Sequence, residues 1–577
     1  MTRHIMVRSA GFLIICGILG MLPDAQGIMN GDHTGDASKD AEAYKAYGAK
    51  VAQEEQERRG RYELGNFSAW WEINRDEFLL LPPTPDSLNT YEDRSGKKPP
   101  PDTLEDLLPL IGYSDYFSTQ VLDLAVRRMK RIPKVDEALS AILNDPRALA
   151  PKRAWAAYAM GELKSSKSIP TLLKALKEKD RDIRAFSALA LTRIADVEAC
   201  RAILPLLDSK KEDEDLKCLA LLGLAECQSP EVRKMMLRMA GEAEKISPGR
   251  GRLSNDLIEK PGIHVRRAAI LALGVKSSEA EISHLADLTE DKDQLVRCAA
   301  LISLGIARKR TDILLSGLQN EPEALCRGHA AVALGIARTP GAIQPLITLL
   351  KKDRDPVVRA CAALALGHFQ SEEAVAPLAE ARASRNDFLL SDYAAIGLGL
   401  SGKATALPPL LEGLASKRND MINASEMGLL LLKDPESLPA LLKMLDYKQF
   451  MDVPQFALLA IGNLKKPESF ETIQAKLDDK SWGTRVAASF ALLLHGNAAK
   501  ACPILEAHLA TEKQPVTRNT IALAFDWLTQ DEKRKLTLGD GFKGDPRNQN
   551  GRKVSVTEIT RELNRHFPKD FKLPIAP

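Results

Sequence analysis

A segment of about 31 residues recurs along most of the 577-residue chain, and it constrains the fold more than any other feature of the sequence. The clearest copy reads Asp-Pro-Val-Val-Arg-Ala-Cys-Ala-Ala-Leu-Ala-Leu-Gly and runs from Asp355 to Gly367. Asp355 can cap a helix that begins at Pro356, where a missing N–H costs nothing, and Gly367 is expected to end that helix in the left-handed conformation. Each copy therefore predicts one helix, and an apolar stretch that follows from Val375 predicts a second helix packed against it.

Three kinds of residue recur in phase with this segment. With one exception, a glycine or its replacement recurs every 30 to 32 residues. These positions, which we call the glycine column, are Gly161, Thr192, Gly223, Gly274, Gly305, Gly335, Gly367, Gly399, Leu430, Gly462 and Leu493. An arginine lies eight residues earlier at Arg153, Arg184, Arg266, Arg297, Arg327, Arg359 and Arg485. Because one helix pair cannot bury its own apolar side, the pairs must stack, and residues 102–530 are predicted to form an all-α solenoid of about twelve antiparallel pairs.

The pattern Asp-x-x-Val-Arg-x-x-Ala-x-x-Ala-Leu-Gly resembles HEAT repeats of the phycobilisome-lyase-like class, in a type found in exported bacterial proteins, over roughly residues 115 to 530. The resemblance implies a HEAT- or armadillo-like superhelix whose second helices line an extended inner groove. The arginines are then expected to form a structural ladder between units. Ser391, Ile422 and Pro454 replace the arginine in three successive units, so the geometry is expected to differ there.

The segments that precede the repeats have other compositions. Residues 1–27 have a basic start, an apolar stretch of about 13 residues and a small-x-small end, which predicts a cleaved secretory signal, no membrane span after cleavage and a place in the periplasm or cell envelope. Residues 28–101 form a polar leader with a tryptophan-rich segment and a proline-rich linker. Trp70 and Trp71 are expected either to cover an open end of the solenoid or to bind a partner.

Two further departures from the repeat are candidate partner sites. The interval from Gly223 to Gly274 is 51 residues, and the excess, residues 242–262, predicts an insertion loop. Its Arg250 and Arg252 suit carboxylates or phosphates, although a tolerated surface insertion is the alternative. Residues 531–577 form a basic tail with 11 basic and 7 acidic residues and a short predicted helix.

The sequence gives little support for a nucleic-acid, nucleotide or metal-binding site. The 80 basic and 77 acidic residues give a net charge of +3, which does not indicate a nucleic-acid partner. Gly397 to Gly402 match a dinucleotide fingerprint, but no strand precedes them and they coincide with the repeat. The acidic triplet that begins at Asp353 lacks the glycine of a calcium loop, and no two cysteines have zinc-site spacing. We therefore predict no catalytic residue, no metal site and no cofactor.

Two hypotheses for function remain at this point. The first is a non-catalytic protein–protein interaction scaffold of the cell envelope that binds an unidentified protein or peptide along the solenoid groove. The second, implied by resemblance alone, is an enzyme or chaperone related to HEAT-like bilin lyases or deoxyhypusine hydroxylases. The hydroxylases bind iron through His-Glu pairs, and no histidine of this chain is followed by glutamate. The oligomeric state is left open.

Overall fold

The computed structural model describes residues 103–111, 125–209, 211–241, 262–339, 341–450 and 453–529. Within these residues the chain is an array of helix pairs, as predicted. The first helices of the pairs are Ala150–Leu163, Arg181–Ile194, Glu214–Gly223, Ile263–Leu273, Gln294–Ala307, Ala324–Ala337, Pro356–His368, Phe388–Ser401, Asn419–Leu432, Val453–Leu464, Trp482–His495 and Pro515–Thr529. Residues 125–129, also helical, occupy the equivalent place before the first of these.

The second helices are generally shorter and alternate with the first helices along the chain. They are Val135–Asn144, Ile169–Ala175, Val197–Arg201 continued by Leu204–Asp208, Pro230–Ala240, Glu279–Leu288, Thr311–Asn320, Ile343–Lys352, Glu372–Arg382, Leu407–Leu414, Leu438–Met444, Phe470–Ala475 and Ala498–Thr511. The helix Leu104–Ile111 precedes the array and packs on Ala150–Leu163. Each first helix packs chiefly against its neighbouring first helices and against second helices. The fold is therefore the predicted α-solenoid.

The predicted helix starts are confirmed. The Asp355 side chain accepts hydrogen bonds from the backbone N–H groups of Val357, at 2.8 Å, and Val358, at 3.3 Å. Asp180 and Asp293 cap their helices in the same way. Because side-chain acceptors at these positions satisfy otherwise unpaired backbone donors, the acidic residues between units are explained as helix caps.

The prediction that Gly367 ends its helix in the left-handed conformation is wrong. Gly367 lies inside the helix Pro356–His368, and the left-handed residue is Gln370, with φ of 52°. In most units this residue lies three positions after the glycine column, at Lys164, Ala195, Arg308, Arg338, Gln370, Gly402, Lys433, Lys465 and Gly496. The residue that ends a first helix is therefore usually not glycine. A single non-glycine residue can adopt the left-handed conformation at a modest energetic cost.

Close packing explains the glycine column instead. A Cβ added to Gly161 would lie 2.6 Å from Cα of Ala190, and one added to Gly335 would lie 2.9 Å from Cα of Ala365. In both cases the neighbour lies two positions before the next member of the glycine column. Where the column holds glycine, the first helix thus approaches a neighbouring first helix closely, which a larger residue would prevent; Leu430 and Leu493 are the large exceptions in the column.

This close packing gives the array its curvature. Neighbouring first helices are in far more extensive contact than neighbouring second helices, which are splayed apart. The first helices therefore lie on the inner side of the curve. The expectation that the second helices line the inner side is wrong, because glycine and alanine are concentrated in the first helices and shorten the distance between them.

The two ends of the array are in contact. A guanidinium nitrogen of Arg128 lies 3.4 Å from a carboxylate oxygen of Asp526, and both side chains are buried. The guanidinium of Arg127 stacks over the ring of Trp527, 4.3 Å from its centroid. Arg518 occupies the arginine position of one further unit, and Asp526, eight residues later, therefore adds one member to the glycine column. At the other end, the position one repeat before Gly161 is residue 130, and Arg128 lies two positions before it. The last unit therefore meets the first in the register that joins consecutive units, and the array closes on itself.

Candidate functional site

The predicted arginine ladder is present at the edge of the array where the first helices begin. Arg327 shows the arrangement. Its Nε and one terminal nitrogen donate to the two carboxylate oxygens of Asp353, at 2.8 and 3.1 Å, in the following turn. Its other terminal nitrogen donates to the backbone carbonyls of Glu321 and Pro322, at 3.1 and 2.8 Å, in the preceding turn. One planar guanidinium therefore ties three consecutive helices together, which a lysine could not do.

The ladder is continuous because each acidic residue serves two arginines. Arg297 donates to the Glu321 carboxylate, at 3.3 and 2.8 Å, while the Glu321 backbone carbonyl accepts from Arg327. Asp353 links Arg327 to Arg359 in the same manner. An unbroken chain of contacts thus runs through the members Arg266, Asp291, Arg297, Glu321, Arg327, Asp353, Arg359 and Asp387. We call the units that carry it the laddered run.

The outer parts of the array carry shorter pieces of the same ladder. Arg153 donates to Glu178 at 2.6 Å, and Arg184 donates to both carboxylate oxygens of Glu212 at 3.0 and 2.7 Å. Arg485 binds both oxygens of Glu512 at 2.8 and 3.1 Å. The guanidinium groups are thus engaged within the chain. We assign the seven arginines to packing between units.

Two carboxylates of the ladder have lowered pKa values. Burial is the largest single influence on the pKa of Asp353 and acts to raise it, but the hydrogen bonds from Arg327 and the Asp355 backbone, together with the nearby arginine charges, hold the pKa below its usual value. Burial likewise opposes the hydrogen bonds of Arg485 at Glu512, whose pKa is also lowered. Asp353 and Glu512 are therefore ionised at neutral pH.

Three successive units lack the arginine, and the structure places polar groups inside them instead. These units, whose first helices are Phe388–Ser401, Asn419–Leu432 and Val453–Leu464, are called the ladder-free run. Arg418 donates to both oxygens of the buried Asp392, at 2.7 and 2.8 Å. Burial nevertheless raises the pKa of Asp392 to about 7, against the lowering effect of Arg418.

Glu426 is the most unusual side chain of the ladder-free run. It is fully buried, and within the described residues neither carboxylate oxygen has a hydrogen-bond partner. Burial raises its pKa well above the ordinary value. In the adjacent units the corresponding positions, four residues before the glycine column, hold Ala395 and Leu458. Nothing in the repeat pattern identified Glu426, although a glutamate within an Ala- and Leu-rich stripe was a visible irregularity.

Two exposed aromatic side chains lie on the edge where the first helices begin. Among the described residues, four large apolar side chains are exposed, Leu149, Val197, Phe388 and Trp482. Phe388 and Trp482 each begin a first helix, eleven residues before the glycine column, and they flank the units that begin at Asn419 and Val453. Sequence reasoning did not single out either residue.

Several predicted site residues fall outside the described part of the chain. These are Trp70, Trp71, Arg250 and Arg252, and their assignment to partner binding remains a prediction. In the described ranges no group of three or more His, Cys, Asp or Glu residues could hold a metal ion. No helix in those ranges is long and apolar enough to cross a membrane. Gly397 and Gly399 lie inside a first helix. The glycines of a dinucleotide-binding motif lie instead in the turn between a strand and a helix.

Comparison with solved structures finds several partial matches. Solved structures with similar folds include yeast importin-beta (Kap95p), at 13% identity and a TM-score of 0.38, covering 74% of this chain and 68% of that one. They also include human deoxyhypusine hydroxylase, at 19% identity and a TM-score of 0.21, covering 46% and 95%. The complex of CpcE and CpcF of the phycocyanin lyase from Nostoc sp. gives 20% identity, a TM-score of 0.23 and coverage of 50% and 97%.

These structural similarities are too partial to support a functional argument. No curated protein matches the sequence significantly. The family model described as HEAT repeats matches residues 135–217, 311–392 and 438–526, which include parts of both the laddered and the ladder-free run. The chain therefore contains HEAT repeats, and their helix pairs form its α-solenoid.

Proposed function

We propose that this protein is a non-catalytic scaffold of the cell envelope that binds a protein or peptide partner. The array of similar helix pairs supports this role because it presents many equivalent side-chain positions along one extended surface. The predicted signal at residues 1–27 supports the location. The sequence analysis predicted that the partner binds along the solenoid groove. The first helices on the inner side are almost completely buried, so we look for the binding surface on another part of the array.

The edge of the ladder-free run is the surface that we favour for the partner. Phe388, at the start of the ladder-free run, is 40% exposed, and Trp482, in the unit that follows this run and carries Arg485, is 46% exposed. Both lie where a first helix begins. The guanidinium of Arg418 lies over the Phe388 ring, 4.0 Å from its centroid. Aromatic and arginine side chains dominate the energetics of protein interfaces. The exposed pair Phe388 and Trp482 is the observation that carries the proposal.

The test compares two places along the edge where the first helices begin. The variant Phe388→Ala with Trp482→Ala removes the aromatic pair, and Leu149→Ala removes a more exposed apolar side chain, 70% exposed, from the other end of the array. Each protein is used to capture cross-linked partners from an envelope fraction. Stoichiometric capture by the wild type and by Leu149→Ala, with loss in the double variant, is expected. Equal capture by all three would contradict the assignment of this edge.

A further inference from the structure

Two cysteines from consecutive units lie against each other just before the 51-residue interval of the repeat. Cys200 is buried in the second helix Val197–Arg201, and the half-buried Cys227 follows the first helix Glu214–Gly223 of the next unit. The two thiol groups are hydrogen-bonded to each other. The pair therefore connects one unit to the next at the edge where the first helices end.

Both cysteines are exceptions at their positions in the repeat. The position of Cys200, eight residues after the glycine column, holds a larger apolar residue in most other units: Ile169, Ile282, Ile313, Ile343, Val375, Leu407, Leu438 and Phe470. The position of Cys227, four residues after the column, holds a polar residue in the other units from Gly161 to Leu493: Ser165, Asp196, Ser278, Lys309, Thr339, Ser371, Lys403, Asp434, Lys466 and Asn497. The packing that the other units share therefore explains neither cysteine.

Polar contacts beside the pair already hold the two chain segments together. The Arg201 guanidinium lies 3.0 Å from the carboxylate of Glu231, and its Nε donates to Ser229 Oγ at 3.4 Å. The Ser229 hydroxyl donates to the same carboxylate at 2.6 Å. Residues that follow each cysteine are thus in contact across the same gap. A bond between Cys200 and Cys227 would join segments that are already adjacent, without a change of fold.

The unit that contains Cys200 is irregular. Its second helix is divided into Val197–Arg201 and Leu204–Asp208, of five residues each, and Thr192 replaces the glycine of the column. Helices of this length are not stable by themselves, so they depend on contacts with their neighbours. A covalent link from Cys200 to the next unit would restrict the opening of this divided second helix.

We propose that Cys200 and Cys227 form a disulfide bond in the folded protein, by exchange with a small-molecule disulfide. The Cys227 thiolate attacks one sulfur of the reagent, forms a mixed disulfide and releases one thiolate. Cys200 then loses its proton, attacks the Cys227 sulfur and displaces the second thiolate. Two protein thiols are thereby oxidised by two electrons, and the reagent is reduced to two thiols that take up both protons. Oxidising compartments, such as the one that the predicted signal implies, supply reagents of this class.

Access to the two thiols determines the order of the steps. Cys227 is half-buried and can meet the reagent, whereas Cys200 is buried. Burial raises the pKa of Cys200 to about 12, so its thiolate is scarce at neutral pH and it is a poor first nucleophile. The second step needs no further encounter, because the two thiols are neighbours in the folded chain.

The pair Cys298 and Cys326 provides an internal comparison. Their Sγ atoms are 3.1 Å apart, but both side chains are buried, so a reagent reaches them only when the units open. In the folded protein, exchange should therefore occur at Cys227 and not at this second pair.

Oxidation of the native protein tests the proposal. The reduced full chain is incubated with oxidised glutathione at mildly alkaline pH, free thiols are alkylated, and linked peptides are mapped after trypsin digestion. A link between Cys200 and Cys227, with Cys298 and Cys326 still reduced, is expected. A link between the Cys227 residues of two copies of the chain, or no reaction of either thiol, would overturn the proposal.

Three serine variants test the order of the steps. Cys200→Ser should retain glutathione at Cys227 as a stable mixed disulfide, and Cys227→Ser should leave Cys200 reduced. Cys218→Ser is the matched control and should keep the link, because Cys218 shares the tryptic peptide 218–233 with Cys227. Loss of the link in Cys218→Ser, or glutathione on Cys200 in Cys227→Ser, would overturn the assignment.

Hydrogen exchange measures what the bond does to the array. In the oxidised protein, the amides of Val197–Arg201 should exchange several-fold more slowly than in the reduced protein, whereas those of Gln294–Ala307 should be unchanged. Equal exchange of Val197–Arg201 in both forms would contradict the restraint inferred for this second helix. The inference concerns a bond within the chain and does not depend on the proposed scaffold function.

Discussion

The laddered run and the ladder-free run use one repeat geometry but place their polar groups on different sides of it. In the laddered run, arginines and carboxylates form a hydrogen-bonded network at the half-buried edge. Its first helices are filled mainly with small apolar residues, and Arg267, His329 and His368 are buried exceptions. In the ladder-free run the edge lacks that network, while Asp392 and Glu426 lie inside. The difference indicates that packing between neighbouring first helices is common to both runs, whereas the arginine ladder is an additional stabilising feature that the fold does not require in every unit.

The pKa shifts of the two runs have opposite signs. Asp353 has a lowered pKa, so its contribution to stability is present above its unfolded pKa and is lost as the pH falls through its folded pKa. Glu426 has a raised pKa, so folding disfavours its ionisation and the stability of the ladder-free run falls as the pH rises above about 4.5. Acid should therefore weaken the first run and relieve the second.

Breaking the ladder at one arginine should have the largest effect. Arg327→Ala removes four hydrogen bonds and leaves the nearly buried Asp353 carboxylate with one hydrogen bond, from the backbone N–H of Asp355. We therefore expect a loss of about 3 kcal/mol in the free energy of unfolding, measured by urea denaturation at neutral pH. Lys351→Ala is the control, because Lys351 pairs with Glu380 at an exposed site and should cost less than about 1 kcal/mol. Similar losses in the two variants would refute the role assigned to the ladder.

A disulfide bond in the laddered run should increase the free energy of unfolding by about 3 kcal/mol. The Sγ atoms of Cys298 and Cys326, in adjacent first helices, are 3.1 Å apart and both side chains are buried. Burial raises the pKa of Cys298 well above its usual value, so the folded thiol reacts slowly and the bond should form during refolding with oxidised glutathione. A bridge that closes a loop of this length adds about 3 kcal/mol to the stability of the unit pair.

Peptide mapping by mass spectrometry checks this bridge. We expect a linked Cys298–Cys326 peptide pair in oxidised protein and free thiols at Cys361 and Cys502. We expect the ladder-free run to unfold first and the laddered run, which contains the bridge, to unfold last. The bridge should therefore raise the temperature of the last thermal transition and leave that of the first transition unchanged. A shift of the first transition alone would reverse our ranking of the two runs.

Glycine substitutions compare the packing of the two runs directly. A Cβ on Gly399 would overlap the backbone carbonyl of Gly428, whereas one on Gly335 would lie 2.9 Å from the Cα and 3.1 Å from the Cβ of Ala365. We expect Gly399→Ala to cost about 2 to 3 kcal/mol and Gly335→Ala to cost less, because its closest neighbour is a small residue rather than a carbonyl oxygen. Thermal denaturation of both variants measures the difference, and a larger loss for Gly335→Ala would contradict it.

Replacing the buried acid should produce the smallest of the changes. Glu426→Leu restores the residue type found at Leu458 and should stabilise the protein by about 1 to 2 kcal/mol at pH 7, because an unpaired buried carboxyl group is removed. The gain should diminish towards pH 4, where Glu426 is protonated in both states. Glu436→Gln, at an exposed position, should show no such pH dependence. A gain that is equal at both pH values would exclude ionisation as its cause.

The sequence was sufficient for the repeat, the helix caps and the arginine column, because these depend on residues within one or two units of each other. It assigned the wrong role to Gly367, since a helix-ending glycine and a packing glycine occur in the same local pattern and differ only in what lies in the next helix. It placed the second helices on the inner side for a related reason: curvature depends on how closely neighbouring units approach. Phe388 and Trp482 were missed because the residue type at the start of the first helix varies from unit to unit, so the repeat does not predict whether that side chain is exposed.

The contact between Arg128 and Asp526 joins residues almost 400 positions apart. An open array of repeats has only nearest-neighbour contacts, so it can begin to fold anywhere and fray from either end. Joining the ends removes both fraying points, and no unit can then open without losing two neighbours. Because the entropy of closing a loop grows only slowly with its length, this final contact is thermodynamically accessible, but it can form only after the intervening units have folded. The protein should therefore assemble slowly, in one late step, and resist proteases far longer than a linear array of the same repeats.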